Sequence, residues 1–456
     1  MNTTTTGLPS AMALRVREAV HEAVSGFTVP GYQVAWLCDG QTDQVAAGCL
    51  GLGRPDAVKP ATRFPLGSVA KVFTASLALQ LAGDDVLTLD GPIAGSLPVG
   101  ACRDVLGDVS LRQLLTHTSG MENDHASEHP PRGSLREYVR ACVREPLFPA
   151  GERFSYSSAG YVAVGHLIEA ATCQTWAENL QAFLLDPLEV QGGFFLSEPL
   201  RPGVLADGHV RRPDGQVVRL AARNAPGREW APAGGLAMSA SALLRLVQLH
   251  LDGGRTTLGY PLLDAGLAAE MRAPLVPVPD AGFADAWGLG WSLLRGGPGA
   301  DGTGGWFGHD GDDEGWTARV RASQDGTFAI VMLTNCLPSH EEWARLLAAL
   351  ASAGVTVGDP VLPEPPELAP PVDPAIVGSY EHGPTRVTIG EDGGAPWMMV
   401  GGYDRQALRP VDEDRCLTLP AGRGEAPLLV PFVRDAGGGV RYVYVSGRVA
   451  RRAVAA

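Results

Sequence analysis

Lysine is almost missing from this chain: of 36 basic residues only Lys59 and Lys71 are lysines, and the other 34 are arginines. Arginine keeps its proton inside a protein, whereas a buried lysine can give its proton up, so a lysine surviving in this background is a candidate for acid–base work. Positive charge is also short overall. The formal net charge of −14 argues against nucleic acid as the main partner. No stretch approaches the ~20 apolar residues that span a bilayer, so no membrane partner is expected. The start, MNTTTTGLPSAMALRVREAV, has no basic region leading into an apolar run and is interrupted by Arg15, Arg17 and Glu18. It reads as a tail entering an amphipathic helix, with a cytoplasmic protein expected. The seven cysteines are odd in number, scattered and never spaced CxxC, which indicates neither a disulfide framework nor a zinc site. His125, Glu128 and His129 match HxxEH, but Pro130 and Pro131 follow at once and a zinc helix cannot run through them. The Gly-rich stretch 296–305 lacks the Lys and helix of a phosphate loop. No metal and no cofactor is expected.

At 456 residues the chain exceeds the roughly 250–300 residues of one core, and two domains are expected. Proline marks the boundary: GDPVLPEPPELAPPVDP, residues 358–374, can neither continue a helix nor join a central strand and reads as a semi-rigid linker. The expected division is 1–357, a linker over 358–372, and 373–456. The first part begins with a helix near 10–25 and two strands, Tyr32–Cys38 and Gln44–Leu50. It closes with two strands joined at Asp325–Gly326, an Asp-Gly hairpin turn, and a helix from about Ser339 to Ala353. This is an α+β pattern, a sheet flanked by terminal helices with a mostly helical insertion. After the linker, short runs such as VRYVYVSGRVARR alternate with Gly- and Asp-rich turns and suggest a small β-barrel or sandwich.

In FPLGSVAKVFTASLALQLAG, Ser68 opens an apolar helix and Lys71 follows one turn later on the same face. A serine hydroxyl attacks only once its proton is removed, and a desolvated lysine can remove it. The helix start also offers a backbone N–H to an oxyanion. Tyr156, in FSYSSAGY, precedes another apolar helix. Alone it reads as a core aromatic; beside a cationic lysine its pKa could fall enough for proton exchange.

Taken together, FPLGSVAK, LLTHTSG (114–120), FSYSSAGY, PAGGLAMSASALLRL and FGHDG resemble, in order and spacing, the serine β-lactamase-like and penicillin-binding-protein family. The resemblance implies a class C β-lactamase-like fold. It also implies that Ser68 is acylated, that Lys71 and Tyr156 manage protons, and that His309-Asp310-Gly311 replaces the usual KTG-type motif. Backbone N–H groups of Ser68 and Asp312 would form the oxyanion hole, with Ser158, Gly235, Asp310 and Gly311 against the substrate. His117 in LLTHTSG reads as structural. Two departures stand out: the family's Tyr-Ser-Asn is Tyr156-Ser157-Ser158, and its carboxylate-binding lysine is His309, amid Asp310, Asp312, Asp313 and Glu314. That acidic surround is expected to favour an amine.

An unexported catalytic domain joined through a Pro-rich linker to a lipocalin-like β-domain is similar to the penicillin-binding-protein-type thioesterases. These release nonribosomal peptides from a carrier protein by head-to-tail macrolactamisation. The likeness implies a peptidyl substrate on a carrier protein and places Arg448 or Arg451 at the mouth of the site. The alternative is an esterase, D-amino-acid amidase or peptidase of the same family.

Overall fold

The computed structural model describes residues 9–54, 56–97, 105–123, 134–142, 145–190, 193–194, 204–220, 227–280, 282–296, 305–420 and 426–453. The HxxEH segment, residues 297–304 of the Gly-rich stretch, Arg223 and Cys102 lie outside the described residues.

Helix α1, Ala11–Ser25, starts where the Ser10 hydroxyl accepts the Ala13 N–H, and it buries Val16, Val20 and Ala23 along one stripe. Strands β1 (Gly31–Cys38) and β2 (Gln41–Gly48) follow. The second strand begins three residues earlier than the sequence suggests. Asp39 and Gly40 both have positive φ, so a two-residue hairpin turn pairs Cys38 with Gln41. Helices α2 (Ala70–Gly83), α3 (Ser158–Thr172) and α4 (Ala240–Leu251) come next. Short strands β3 (Val276–Pro277), β4 (Ala286–Trp287) and β5 (Ser292–Leu294) lead into β6 (Trp306–Asp313), β7 (Trp316–Ser323), β8 (Phe328–Thr334) and helix α5 (His340–Ser352).

These strands form one antiparallel sheet in the order β2-β1-β8-β7-β6-β5-β4-β3. Strand side chains alternate between faces, and the burial follows: Val34, Trp36, Ile330 and Met332 pack under α1 and α5, while Ala35, Ala329, Val331 and Leu333 join the larger core that holds α2, α3 and α4. Helix α2 is buried nearly all round, Lys71 included. A polar group placed in that helix is desolvated by construction.

Residues 358–373 run without helix or strand. Their start is tied to the sheet by Asp359, which accepts from Arg321 of β7 and from Trp343 Nε1 of α5. The chain then closes an eight-stranded antiparallel barrel: β9 (Gly378–His382), β10 (Thr385–Asp392), β11 (Ala395–Val400), β12 (Gln406–Pro410), β13 (Arg415–Thr418), β14 (Leu429–Arg434), β15 (Val440–Val445) and β16 (Arg448–Arg452), with β9 pairing β16. Its interior is filled by Tyr380, Ile389, Met398, Phe432 and Val443 among others, as expected for so few strands. Of the alternatives read from sequence, it is a barrel and not a sandwich.

The barrel is docked on the rest of the molecule. Tyr442, Tyr444 and Val449 cluster with Leu147 and Phe148, Tyr444 donates to the Phe154 carbonyl (2.8 Å) and the Val449 N–H reaches Ser155 Oγ (3.2 Å). His382 accepts the Asn123 N–H (2.8 Å).

Candidate active site

Ser68 sits in a 3₁₀ turn, Gly67–Val69, that feeds directly into α2. Gly67 has φ +51°, a conformation glycine adopts without strain. Lys71, in the first turn of α2 and 1% exposed, donates to Ser68 Oγ (3.2 Å) and to the Ala233 carbonyl (2.9 Å). An amine so held is within proton-transfer reach of the hydroxyl.

Strand β6 passes alongside this turn. A Cβ on Gly311 would overlap the Leu66 carbonyl and stand 3.2 Å from Ser68 N, and one on Gly67 would stand 3.2 Å from Asp312 N. The two backbone N–H groups expected to hold an oxyanion therefore come from adjoining segments of chain. Gly235 lies two residues after the Ala233 carbonyl that Lys71 holds, and a Cβ there would run into Ala231.

Tyr156 lies between two cations, with Lys71 Nζ 5.0 Å and Arg448 Cζ 5.2 Å from its ring centre. Its pKa moves opposite to the sequence expectation. Burial pushes the phenol up to about 12, with Ser68 and Arg448 opposing the rise and Asp310 adding to it. Among the described residues the hydroxyl closes no hydrogen bond of regular geometry. Tyr156 is thus a neutral phenol that can lend or pass on a proton, not a standing phenolate.

His309 is buried, and its Nδ1 bonds the Asp310 carbonyl (2.7 Å). A carbonyl only accepts, so Nδ1 carries the proton, and Nε2 is left with no hydrogen-bond partner among the described residues. Burial, then the Lys71 charge, lowers its pKa to about 4, so the ring is neutral at pH 7. It accepts from an N–H and offers no cation to a carboxylate. His117 has the opposite tautomer: its Nδ1 accepts the Ser157 N–H (3.0 Å), and the ring is boxed by Tyr156, Tyr161, Phe154 and Trp287 at 4.3–5.7 Å.

The acidic surround of His309 needs correction. Asp310 and Asp312 alternate with His309 and Gly311 along β6, so their side chains lie on the other face of the sheet. There Asp310 meets Arg321 twice (2.5 and 3.0 Å) and Asp312 meets Arg319 twice (2.8 and 3.3 Å). Burial raises the Asp310 pKa, but Arg321 and Arg319 more than reverse this and hold it at about 2. These carboxylates are neutralised in place, and Asp310 contributes to the site through its backbone carbonyl. Of the arginines clustered at 211–228 in the sequence, Arg211 is buried on Glu342 (2.8 Å), Arg219 pairs with Asp207 and Arg212 bonds Gln216.

Ser158 opens α3, and its N–H is bonded to Asn123 Oδ1 (3.2 Å). Asn123 brings a carboxamide to the corner where the family's Tyr-Ser-Asn has its own; nothing near it in sequence indicated this. Of the two barrel arginines, Arg448 reaches the site, whereas Arg451 is exposed opposite Glu381. The aromatic wall of Phe283 and Trp287, stacked at 5.9 Å, touches Tyr156 and was likewise not indicated by sequence.

A half-buried serine with a buried lysine and tyrosine, beside a glycine-bearing strand of an antiparallel sheet, makes this a candidate serine acyl-transfer centre. A family model described as Beta-lactamase matches residues 16–355, and the chain belongs to that family of penicillin-binding-protein-like serine hydrolases. It is 31% identical over 376 residues to Penicillin-binding protein 4 of Amycolatopsis lactamdurans, covering 81% of this chain and 95% of the relative. Among solved structures it is similar to SurE, at 32% identity and a TM-score of 0.83 over 97% of this chain and 100% of the other. SurE with D-Leu matches at 31% identity and a TM-score of 0.78, over 97% and 99%. Among the described residues no helix is long and apolar enough to cross a membrane.

Proposed function

We propose that the protein is a penicillin-binding-protein-type thioesterase that accepts a peptidyl group from a carrier-protein thioester and releases it by head-to-tail macrolactamisation. The observation that carries this reading is Arg448: the barrel sets a guanidinium against Tyr156, beside the Ser68–Lys71 pair. A small-ester hydrolase has no use for a second domain inside its site, whereas a long chain whose far end must return to the acyl group does. The likeness to SurE across both the catalytic body and the barrel adds support, and the bound D-Leu of that relative suggests a D-configured residue at the acyl end.

In this mechanism Lys71 takes the Ser68 proton as Oγ attacks the thioester carbonyl, with the N–H groups of Ser68 and Asp312 meeting the oxyanion. The C–S bond breaks and the thiol leaves with a proton supplied through Lys71 or Tyr156. The peptide's own N-terminal amine then attacks the Ser68 ester, and the C–O bond breaks as Oγ regains a proton. Nε2 of neutral His309 suits this second step, because it can accept a hydrogen bond from the N–H of the attacking amine and orient it. Arg448 meets a carboxylate or backbone carbonyl of the folded peptide. Intramolecular attack outcompetes water through effective concentration once the chain is held.

The test is incubation of the purified protein with linear peptidyl thioesters that differ only in the chirality of the terminal residue, followed by product masses. A cyclic product, one water lighter than the acid and formed from the D-terminated peptide in preference, is expected. Linear acid at every pH with an unblocked N-terminus leaves an esterase, amidase or peptidase.

A further inference from the structure

Arg448 can be no better placed than the turn that carries it. Strands β15 and β16 are joined by Ser446 and Gly447, both at positive φ (+49° and +74°), with Val445 paired to Arg448. The Gly447 peptide is gripped from two sides. Its carbonyl accepts the Tyr156 N–H (2.9 Å), and its N–H is bonded to Asp280 Oδ2 (2.9 Å). A Cβ on Gly447 would stand 2.8 Å from the Phe283 ring, so the turn is also seated against the aromatic wall.

Asp280 is 2% exposed. Its other oxygen accepts the Gly282 N–H (3.1 Å), and its backbone carbonyl accepts the Phe283 and Ala284 N–H groups (2.8 and 3.2 Å). One residue thereby folds the loop that carries Phe283 and clamps the turn that carries Arg448. Among the described residues its carboxylate is held by backbone N–H groups, not by cations. A buried carboxylate is costly unless hydrogen-bonded, and a carboxylate–N–H bond is about twice as strong as a neutral one. Burial pushes its pKa up to about 6, with the Gly447 and Gly282 donors opposing the rise, which leaves the group ionised at neutral pH.

We propose that Asp280 is a positioning residue that sets the barrel's Arg448 in register with Tyr156 and so governs how a peptide chain, as opposed to a small ester, meets Ser68. The proposal rests on the peptidyl reading of the site given above. It predicts that Asp280 acts through Arg448, 168 positions away in sequence, and touches no reacting atom.

Asp280→Asn keeps the shape but leaves one acceptor oxygen for two N–H donors. The full-length wild type, Asp280→Asn, Arg448→Ala and the double variant are assayed on a linear peptidyl thioester of N-acetylcysteamine and on p-nitrophenyl acetate. Asp280→Asn should lower kcat/KM on the thioester by about ten-fold or more and change ester turnover by less than about two-fold. In the Arg448→Ala background the same substitution should cost little more, since two groups acting as a unit are not additive. Equal losses on both probes, no loss on the thioester, or losses that multiply in the double variant would overturn the proposal. Should the wild type turn over the ester but not the thioester, the peptidyl reading falls, and positioning is judged by amide exchange. Asp280→Asn must then speed exchange over residues 446–449 by about ten-fold or more while the rest of the barrel is unchanged; unaltered exchange there refutes it.

Discussion

Gly311→Ala changes one methyl group and moves no charge, yet it should nearly silence the enzyme. The added Cβ would fall onto the Leu66 carbonyl oxygen and stand 3.1 Å from its carbon and 3.2 Å from Ser68 N. Those are backbone atoms of the nucleophile's own turn and cannot swing aside as a side chain can. Relief requires β6 and the turn to part by about 1 Å, and a misplacement of that size at a catalytic centre costs about 100-fold. The folding cost is of the same order, about 1–3 kcal/mol for an overpacked methyl, and the variant still folds because β6 stays paired to β7 along eight residues. The assay is the burst of p-nitrophenol on acylation of Ser68, with thermal unfolding measured alongside. A folded variant acylated within a few-fold of the wild-type rate would refute the close approach of β6 to Ser68.

Lys71→Arg keeps the charge but removes a base, and general-base loss costs about 10²–10⁴-fold; acylation at near wild-type rate would show that Lys71 is only a buried cation. Acid should destabilise the fold well before carboxylates titrate. Burial holds His309 and His382 at about 4 and His250 at about 3, all below the unfolded value of about 6.5. Their contribution is intact above pH 6.5 and is lost as pH falls toward those folded values, about 2 kcal/mol each by pH 5. Asp280, raised to about 6, works the other way and returns about 1 kcal/mol between pH 6 and 5. A urea midpoint at pH 5 equal to that at pH 7 would contradict the buried neutral histidines.

The Ser68–Lys71 pair was legible because it is local: an SxxK spacing at one helix start, with a lysine in a chain that otherwise uses arginine. The hairpin at Asp325–Gly326 and the terminal helices were legible for the same reason, being set by turn chemistry and periodicity within a few residues. Charge was misread at β6, although the information was present. In WFGHDGDD the strand period puts Asp310 and Asp312 opposite His309 and Gly311. The next strand, WTARVRAS, carries Arg319 and Arg321 at matching alternation across the Glu314–Gly315 turn, so the cross-strand ion pairs follow from two-residue spacing. The Tyr156 pKa was misjudged because nearby cations were weighed without the burial that outweighs them. Asp280, Asn123 and His382 could not have been found this way. Each acts through a backbone N–H of a distant segment, and a backbone donor leaves no mark on the sequence that offers it.

The account depends most on Ser68 carrying the acyl group. Intact-protein mass spectrometry after mixing with a linear peptidyl thioester should show one peptidyl adduct on the wild type and none on a folded Ser68→Ala variant. An adduct of the same mass on Ser68→Ala would place the nucleophile elsewhere and contradict the account.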